Sequence, residues 1–220
     1  NVKDTKVHYM SLRGFEKFIE GKPAEEVPRI VNRICGICPW HHHLASNKAV
    51  DRCFGVTIPP AARKLREFVQ TVSHAEDKLL NFYFLAAPDF VMGPDANYEV
   101  RNVIGVAKAN PELAAKAVRM RYMVKMILEK VGGKAIHPHA GVVGGFCRAL
   151  LEEERQEFRK QLSELLDFAS FTLEFAKTQV FPNYLDAVQA LGVIRTGFLG
   201  TVDEDGNLAL YEGKLRLMKA

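Results

Sequence analysis

The chain has 220 residues, 48% of them hydrophobic, and its 30 basic and 26 acidic side chains leave a formal charge of +4. That is enough apolar material for a sizeable core, in one domain or two closely joined ones, and the charges are interspersed rather than gathered into a basic block, which argues against nucleic acid. No apolar run reaches the ~18 residues of a membrane span, since Phe82 to Met92 is interrupted by Pro88 and Asp89; a soluble protein is expected.

The chain opens at Asn1 on a strand-like Thr5–Tyr9 and closes on a strand-like Lys214–Met218, with no initiator methionine and no signal or transit peptide, so both ends read as cut from something longer. Four helices are expected to carry most of the mass. Pro39 suits the first helical position after Cys38, and Gly55 suits the stop, which places Cys38 at a helix N-terminus. The next helix is expected from Pro59 and Pro60 to about Ala86, with Leu65, Phe68, Val72, Ala75, Leu79 and Phe82 as its apolar seam. Asn110 as cap, Pro111 as first residue and Gly132–Gly133 as stop bound the third, whose seam is Leu113, Ala117, Met120, Val124, Ile127 and Val131. The fourth spans about Leu151 to Phe181, buries Phe158, Leu162, Leu165, Ala169, Leu173, Ala176 and Val180, and ends at Pro182. Asp205-Gly206 and Glu212-Gly213 then punctuate the runs Phe198–Val202, Leu208–Tyr211 and Lys214–Met218, which predict a small antiparallel β-meander. The class is α+β, predominantly helical, in a single domain made of a cysteine-motif segment (1–58), a long-helix bundle (59–192) and the meander (193–220).

The chemistry concentrates in Arg33-Ile34-Cys35-Gly36-Ile37-Cys38-Pro39-Trp40-His41-His42-His43. Four cysteines are too few for a disulfide scaffold at this length, and a Cys-x-x-Cys pair then points to metal or redox chemistry in a reducing compartment, the cytoplasm. Amide N–H groups at the helix start and the helix dipole are expected to favour thiolate over thiol in both cysteines. Soft thiolates suit zinc, iron–sulfur clusters, nickel and copper(I), and His42, four residues beyond Cys38, shares its helix face. Spacing alone leaves three readings open: a structural zinc site drawing on Cys35, Cys38, His42 and Cys53, a thioredoxin-like redox pair without the surrounding βαβ pattern, or a catalytic transition-metal site. The three adjacent histidines cannot all face one site, because successive helical residues point about 100° apart. Cys53 and Cys147 stand alone and read as buried small hydrophobes.

The wider string Arg-Ile-Cys-Gly-Ile-Cys, followed by His42 and then Leu44-Ala45-Ser46, resembles the first cysteine motif of nickel-iron hydrogenase large subunits. The likeness extends through Arg13-Gly14-Phe15-Glu16, Gly21-Lys22-Pro23, the run from Phe82 to Phe90, Gly132-Gly133-Lys134 with His137-Pro138, Gly144-Gly145 and the Gly200 to Arg216 segment, and so covers nearly the whole chain as the N-terminal half of such a subunit. The resemblance implies that Cys35 is a terminal nickel ligand and that Cys38 bridges nickel to an iron carrying diatomic ligands. His42 then hydrogen-bonds the bridging sulfur, Arg33 supports the site, and Glu16 faces a magnesium ion. It further implies heterolytic splitting of dihydrogen into a hydride and a proton, in either direction, with electrons passing to iron–sulfur clusters in a separate small subunit, because too few cysteines remain here to hold one. The flavour is of the cytoplasmic branch, reducing methyl viologen and associated with heterodisulfide reductase, with other electron-acceptor subunits as alternatives.

The likeness also has departures. Relatives complete the metal shell with a second Cys-x-x-Cys near the C-terminus and carry an N-terminal Glu-Gly-His segment; neither is present in this sequence. A fragment or one piece of a split subunit is therefore expected, inactive by itself. Asp77-Lys78 and Asn81 replace residues common among relatives ahead of the Phe82-Tyr83 pair, and His137 and His139 fit either a loop lining the site or a turn. The competing reading is a non-catalytic zinc-binding or structural relative of the same subunit.

Overall fold

The computed structural model describes residues 1–6, 8, 14–190 and 193–219. Arg13 lies outside these residues, as do Val7 and Tyr9 of the strand-like Thr5–Tyr9 region, whose described residues Thr5, Lys6 and His8 carry no strand. Two short helices, α1 (Phe15–Ile19) and α2 (Val27–Val31), lead through a 3₁₀ turn at Asn32–Ile34 into α3 (Pro39–Phe54). Gly55 closes α3 in the left-handed region at φ 65°, a conformation that favours glycine.

The long helix α4 (Pro60–Leu80) does not stop at Ala86. A π-helical stretch, Asn81–Ala86, carries it into α5 (Ala87–Met92), in whose first turn Pro88 sits. A π turn bonds each N–H five residues back, as Ala87 does to the Phe82 carbonyl, and a proline near the start of the new turn forfeits no interior bond. After a short helix α6 (Val103–Ala109), α7 (Pro111–Gly132) follows the expected boundaries. Asn110 Oδ1 accepts from the Leu113 N–H, and Gly133 ends the helix at φ 78°. A small hairpin, β1 (Gly141–Val142) with β2 (Gly145–Phe146), precedes α8 (Glu152–Phe175).

Beyond α8 the chain corrects the expected stop at Pro182. A π segment (Ala176–Val180) and a 3₁₀ turn (Phe181–Tyr184) lead into α9 (Leu185–Ala190), with Pro182 in the first positions of the 3₁₀ turn. The antiparallel sheet near the C-terminus is present, as β3 (Phe198–Val202) paired with β4 (Lys214–Met218). Its middle run, Leu208–Tyr211, is no strand: it joins by one bridge, Val202 to Leu208, so β3 lies between that run and β4. The hairpin turn is drawn tight by Asp203, whose Oδ1 accepts the N–H groups of Asp205 and Asn207.

The core sits where α4, α7 and α8 meet, with Trp40 and Leu44 of α3 closing one end. Val69, Met120, Val124 and Phe168 are fully buried there. The α7 seam is as the spacing predicts, but the buried stripe of α4 is turned toward Ala62, Arg66, Val69, Ser73 and Glu76, leaving Leu65, Phe68 and Ala75 half-buried. The charges on that stripe are met from other elements: Arg121 and Lys125 of α7 reach Glu76 at 3.0 and 3.3 Å, while Arg66 finds partners described below. On α8 the stripe passes through Phe168, stacked on Tyr83 at 5.3 Å, and so Ala169 and Leu173 face outward instead of inward. Among the described residues no helix is long and apolar enough to cross a membrane.

Candidate metal centre

The segment Cys35–Cys38 is a tight link between two helical pieces, and its geometry separates the two thiols. Cys35 is extended, at φ −137° and ψ 138°, just after the 3₁₀ turn, and Cys38 is the residue before α3. The Cys35 sulfur accepts the backbone N–H groups of Ile37 and Cys38 at 3.4 and 3.3 Å. Hydrogen bonding from Cys38, side chain and backbone, holds the Cys35 thiol below its ordinary range. In the absence of metal, Cys38 moves the other way, pushed up to about 11 by burial and by the neighbouring Cys35. The sequence-based expectation that both thiols gain from the helix start is thus met by Cys35 alone.

His42 completes a group with them. One ring nitrogen of His42 and the two sulfurs all lie within 4.8 Å of one another, each residue half-buried. Two soft thiolates and an imidazole at this separation fit nickel, iron or zinc by donor type. Cys53 takes no part: fifteen residues along α3 from Cys38 it lies roughly 22 Å away at 1.5 Å per residue, and it is exposed, as is Cys147, so neither is a buried hydrophobe.

The other two histidines have different work. His43, 1% exposed, donates from Nδ1 to the Pro28 carbonyl at 2.9 Å and accepts the Gly141 N–H at Nε2, 3.0 Å away. That set is satisfied only by the neutral ring, and burial pushes its pKa down. Its fit is close enough that a Cβ on Gly141 would come within 2.9 Å of Nε2. His41 faces α4 instead. Nδ1 lies 3.0 Å from Gln70 Oε1 and Nε2 lies 2.9 Å from Asp77 Oδ2, so both nitrogens meet acceptors, and Asp77 raises the His41 pKa.

The buried flank of α3 anchors this region. Arg66, fully buried, pairs with Asp51 at 2.6 Å and donates to the Val142 and Gly145 carbonyls, while the other Asp51 oxygen accepts the Gly144 N–H. The two-residue strands β1 and β2 owe their place to this ion pair. Asn32, buried just before the cysteines, donates to the Pro138 carbonyl at 2.7 Å and accepts at its own carbonyl from His137 Nδ1. His137 is held at φ 58° by that bond, so it acts as a strained turn residue that ties the 133–139 loop to the cysteine segment. An open cleft of about 740 Å³ lies alongside, bordered by Arg29, Arg33, Lys134, His137 and His139.

Of the residues singled out from sequence, Cys35, Cys38 and His42 come together. Arg33 is exposed two residues before Cys35, its guanidinium on the Arg29 carbonyl and Asn32 Oδ1. Glu16 is exposed in the first turn of α1, outside the three-residue group. Sequence reasoning missed Asn32, Gln70 and the pairing of Asp77 with His41; the only hint was the unusual Asp77 itself.

The family model for the nickel-dependent hydrogenase matches residues 13–118. A relative from Methanocaldococcus jannaschii, belonging to its vhu F420-non-reducing hydrogenase, is 48% identical over 216 residues, covering 98% of this chain and 51% of the relative. The NAD-reducing hydrogenase HoxS subunit beta of Cupriavidus necator is 30% identical, covering 99% of this chain and 47% of that one. An NAD⁺-reducing [NiFe]-hydrogenase solved in the H₂-reduced state superposes with a TM-score of 0.91 at 35% identity, over 96% of this chain and 47% of its own. The chain spans about half the length of the curated relatives it matches. The thiol pair, the helices that carry it and the fold around them place the chain in the nickel-dependent hydrogenase family, as a relative of the large subunit.

Proposed function

We propose that the chain is part of the catalytic subunit of a nickel-iron hydrogenase, and that Cys35 and Cys38 provide half of the thiolate shell of its metal centre. The observation that carries this reading is the convergence of Cys35, Cys38 and His42 within 4.8 Å, inside the span matched by the nickel-dependent hydrogenase model. In this reading Cys35 and Cys38 would hold the metal pair through their sulfurs, and His42 would hydrogen-bond the Cys38 sulfur and orient it. Two thiolates leave the shell open, and the remaining ligands belong to the rest of the longer protein.

When bound, the metal pair, with its diatomic ligands on iron, supplies the Lewis acidity that polarises dihydrogen. The chain's own residues hold and orient it. The two backbone N–H groups on Cys35 fix the first sulfur, the helix start fixes the second, and Asn32 with His137 braces the segment from behind. With the metals bound, Cys35 or Cys38 would be the chain's own group placed to take up a proton at its sulfur. Arg33 would support the site from the cleft rim, and Glu16 would face a magnesium ion whose other ligands lie outside this chain. Electrons leave through a small subunit carrying iron–sulfur clusters, since Cys53 and Cys147 are exposed and lie outside the one cysteine–histidine group found among the described residues. As part of the same proposal, the protein works in a cytoplasmic complex that passes electrons to heterodisulfide reductase or a similar acceptor.

The test is Cys38→Ala in the full-length protein assembled with its partners. Hydrogen uptake is expected to vanish; uptake at the wild-type rate would remove Cys38 from the centre. Zinc at one equivalent with no nickel, in protein matured with the hydrogenase assembly factors present, supports the structural zinc alternative instead.

A further inference from the structure

The β3–β4 hairpin is fastened to the helices through the run that follows its turn. Lys48 of α3 donates to the Tyr211 carbonyl and pairs with Glu212 at 3.3 Å, and Gln70 of α4 donates to the Leu210 carbonyl at 3.4 Å. The two strands themselves stand clear: Val202 is half-buried, and every other residue of β3 and β4 is exposed.

Side chains alternate between the faces of a strand, and the register sorts them. Leu199 lies opposite Leu217 and Thr201 opposite Leu215, which makes one face apolar. Leu199, Leu217 and Leu215 are 67, 70 and 73% exposed. On the other face Arg216 lies opposite Gly200 and Lys214 opposite Val202, and neither cation has a carboxylate at ion-pair distance among the described residues. The far side of β3 is taken by the Val202–Leu208 bridge and by the Ala209 N–H, which donates to the Thr201 carbonyl. The far side of β4 is an open edge, whose alternate backbone N–H and C=O groups find no backbone partner among the described residues. A two-stranded hairpin with a bare apolar face is marginally stable in water and invites unwanted pairing, so it needs a permanent cover.

We propose that the open edge of β4 pairs with a strand from the part of the full-length polypeptide outside these 220 residues, a strand in which apolar residues alternate with Asp or Glu. Its apolar side chains extend the face of Leu215 and Leu217, and its carboxylates stand beside Lys214 and Arg216, where cross-strand pairs of opposite charge are favourable. A second copy of the chain is the poorer occupant. Two β4 strands related by a two-fold axis would gather Lys214 and Arg216 of both copies on one face, and like charges opposed across strands are destabilising. The same polypeptide is the source that is always present, and this chain spans only about half the length of the curated relatives it matches. The pairing does not depend on which metal the cysteines hold.

Backbone hydrogen exchange on the full-length, assembled protein tests the pairing. Every amide of 214–218 is expected to be protected; alternate amides exchanging at the rate of an open chain would mean a bare edge and overturn it. The source is read by carbodiimide coupling, which joins an amine to a carboxylate in contact with it. Lys214 is expected to couple to an Asp or Glu of the same polypeptide beyond these residues. Coupling to another subunit, to a second copy or to an acidic residue within the 220 overturns the assignment. The chemistry of the strand is read by Lys214→Glu with Arg216→Glu. Exchange across β4 is expected to quicken on the order of tenfold, because two attractive cross-strand pairs become repulsive, while the amides of α7 stay as slow as in the wild type. Unchanged exchange at β4 in that variant overturns the carboxylate-bearing partner.

Discussion

Helix α3 presents two flanks built on opposite principles. On the buried flank, Trp40, His43, Asn47 and Asp51 recur at helical spacing; His43 and Asp51 are hydrogen-bonded to α2, α4 and the β1–β2 hairpin, Asn47 donates back to the His43 carbonyl, and Trp40 is packed into the core. At its N-terminal end, Cys38 and His42 are half-buried and converge with Cys35 as potential ligands. Adjacent histidines follow the division. His43 is neutral by its partners, His42 points to the sulfurs, and His41 faces two acceptors on α4. The buried ion pair and the neutral His43 serve stability, whereas the two thiols and the imidazole of His42 converge as donor atoms fit for a metal.

If this division holds, the largest effects on stability come from the buried flank. Arg66→Ala leaves Asp51 buried without its cation and frees two carbonyls of the hairpin; urea denaturation is expected to show a loss of about 3–5 kcal/mol. His43→Ala strips partners from the Pro28 carbonyl and the Gly141 N–H, with an expected loss of about 2–4 kcal/mol, from roughly 1–3 kcal/mol for each buried group left unsatisfied. Replacing Cys35 and Cys38 together by serine is expected to alter the metal-free stability by less than about 0.5 kcal/mol, since neither is fully buried. A double-serine variant as destabilised as Arg66→Ala would dissolve the contrast between the flanks.

Protonation sharpens the same comparison. Both ring nitrogens of His41 face acceptors and its pKa is raised, whereas burial lowers that of His43. The stability that His41 contributes is fully present below its ordinary pKa near 6.5 and is lost as pH rises through its higher folded value. For His43 the sign is opposite: stability is lost as pH falls below 6.5, because the unfolded ring takes up a proton that the folded one refuses. Histidine NMR should show the two rings titrating on opposite sides of 6.5; a common midpoint would mean that they share one environment. A smaller effect is expected at the thiols, where iodoacetamide should modify Cys35 before Cys38 in metal-free protein.

The parts of the molecule legible in the sequence are those determined locally. Pro39 with Gly55, and Asn110 with Pro111 and Gly133, mark helix ends through backbone requirements that hold in any context. Helix α6 escaped because it is seven residues long and carries Gly105, although Asn102 caps it by accepting from Ile104 and Gly105. Hairpin β1–β2 escaped because its place depends on Arg66 and Asp51, far away in sequence. One π segment carries α4 into α5 beyond the expected end at Ala86, and the other leads through a 3₁₀ turn into α9, past Pro182. In the site, the Cys-x-x-Cys with His42 was visible from spacing, but the partners of His41 and His43 come from other helices and loops. Periodicity also misjudged α4, where a stripe containing Arg66 and Glu76 is buried because their counter-charges arrive from elsewhere in the fold.

The central claim is that the two sulfurs hold nickel and iron. Its most direct test is elemental analysis of the full-length protein, matured with its assembly factors, beside the Cys35→Ser/Cys38→Ser double variant. The account predicts nickel and iron in the wild type and neither in the folded double variant. Zinc in place of nickel in the wild type, or nickel and iron retained in the double variant, would contradict it.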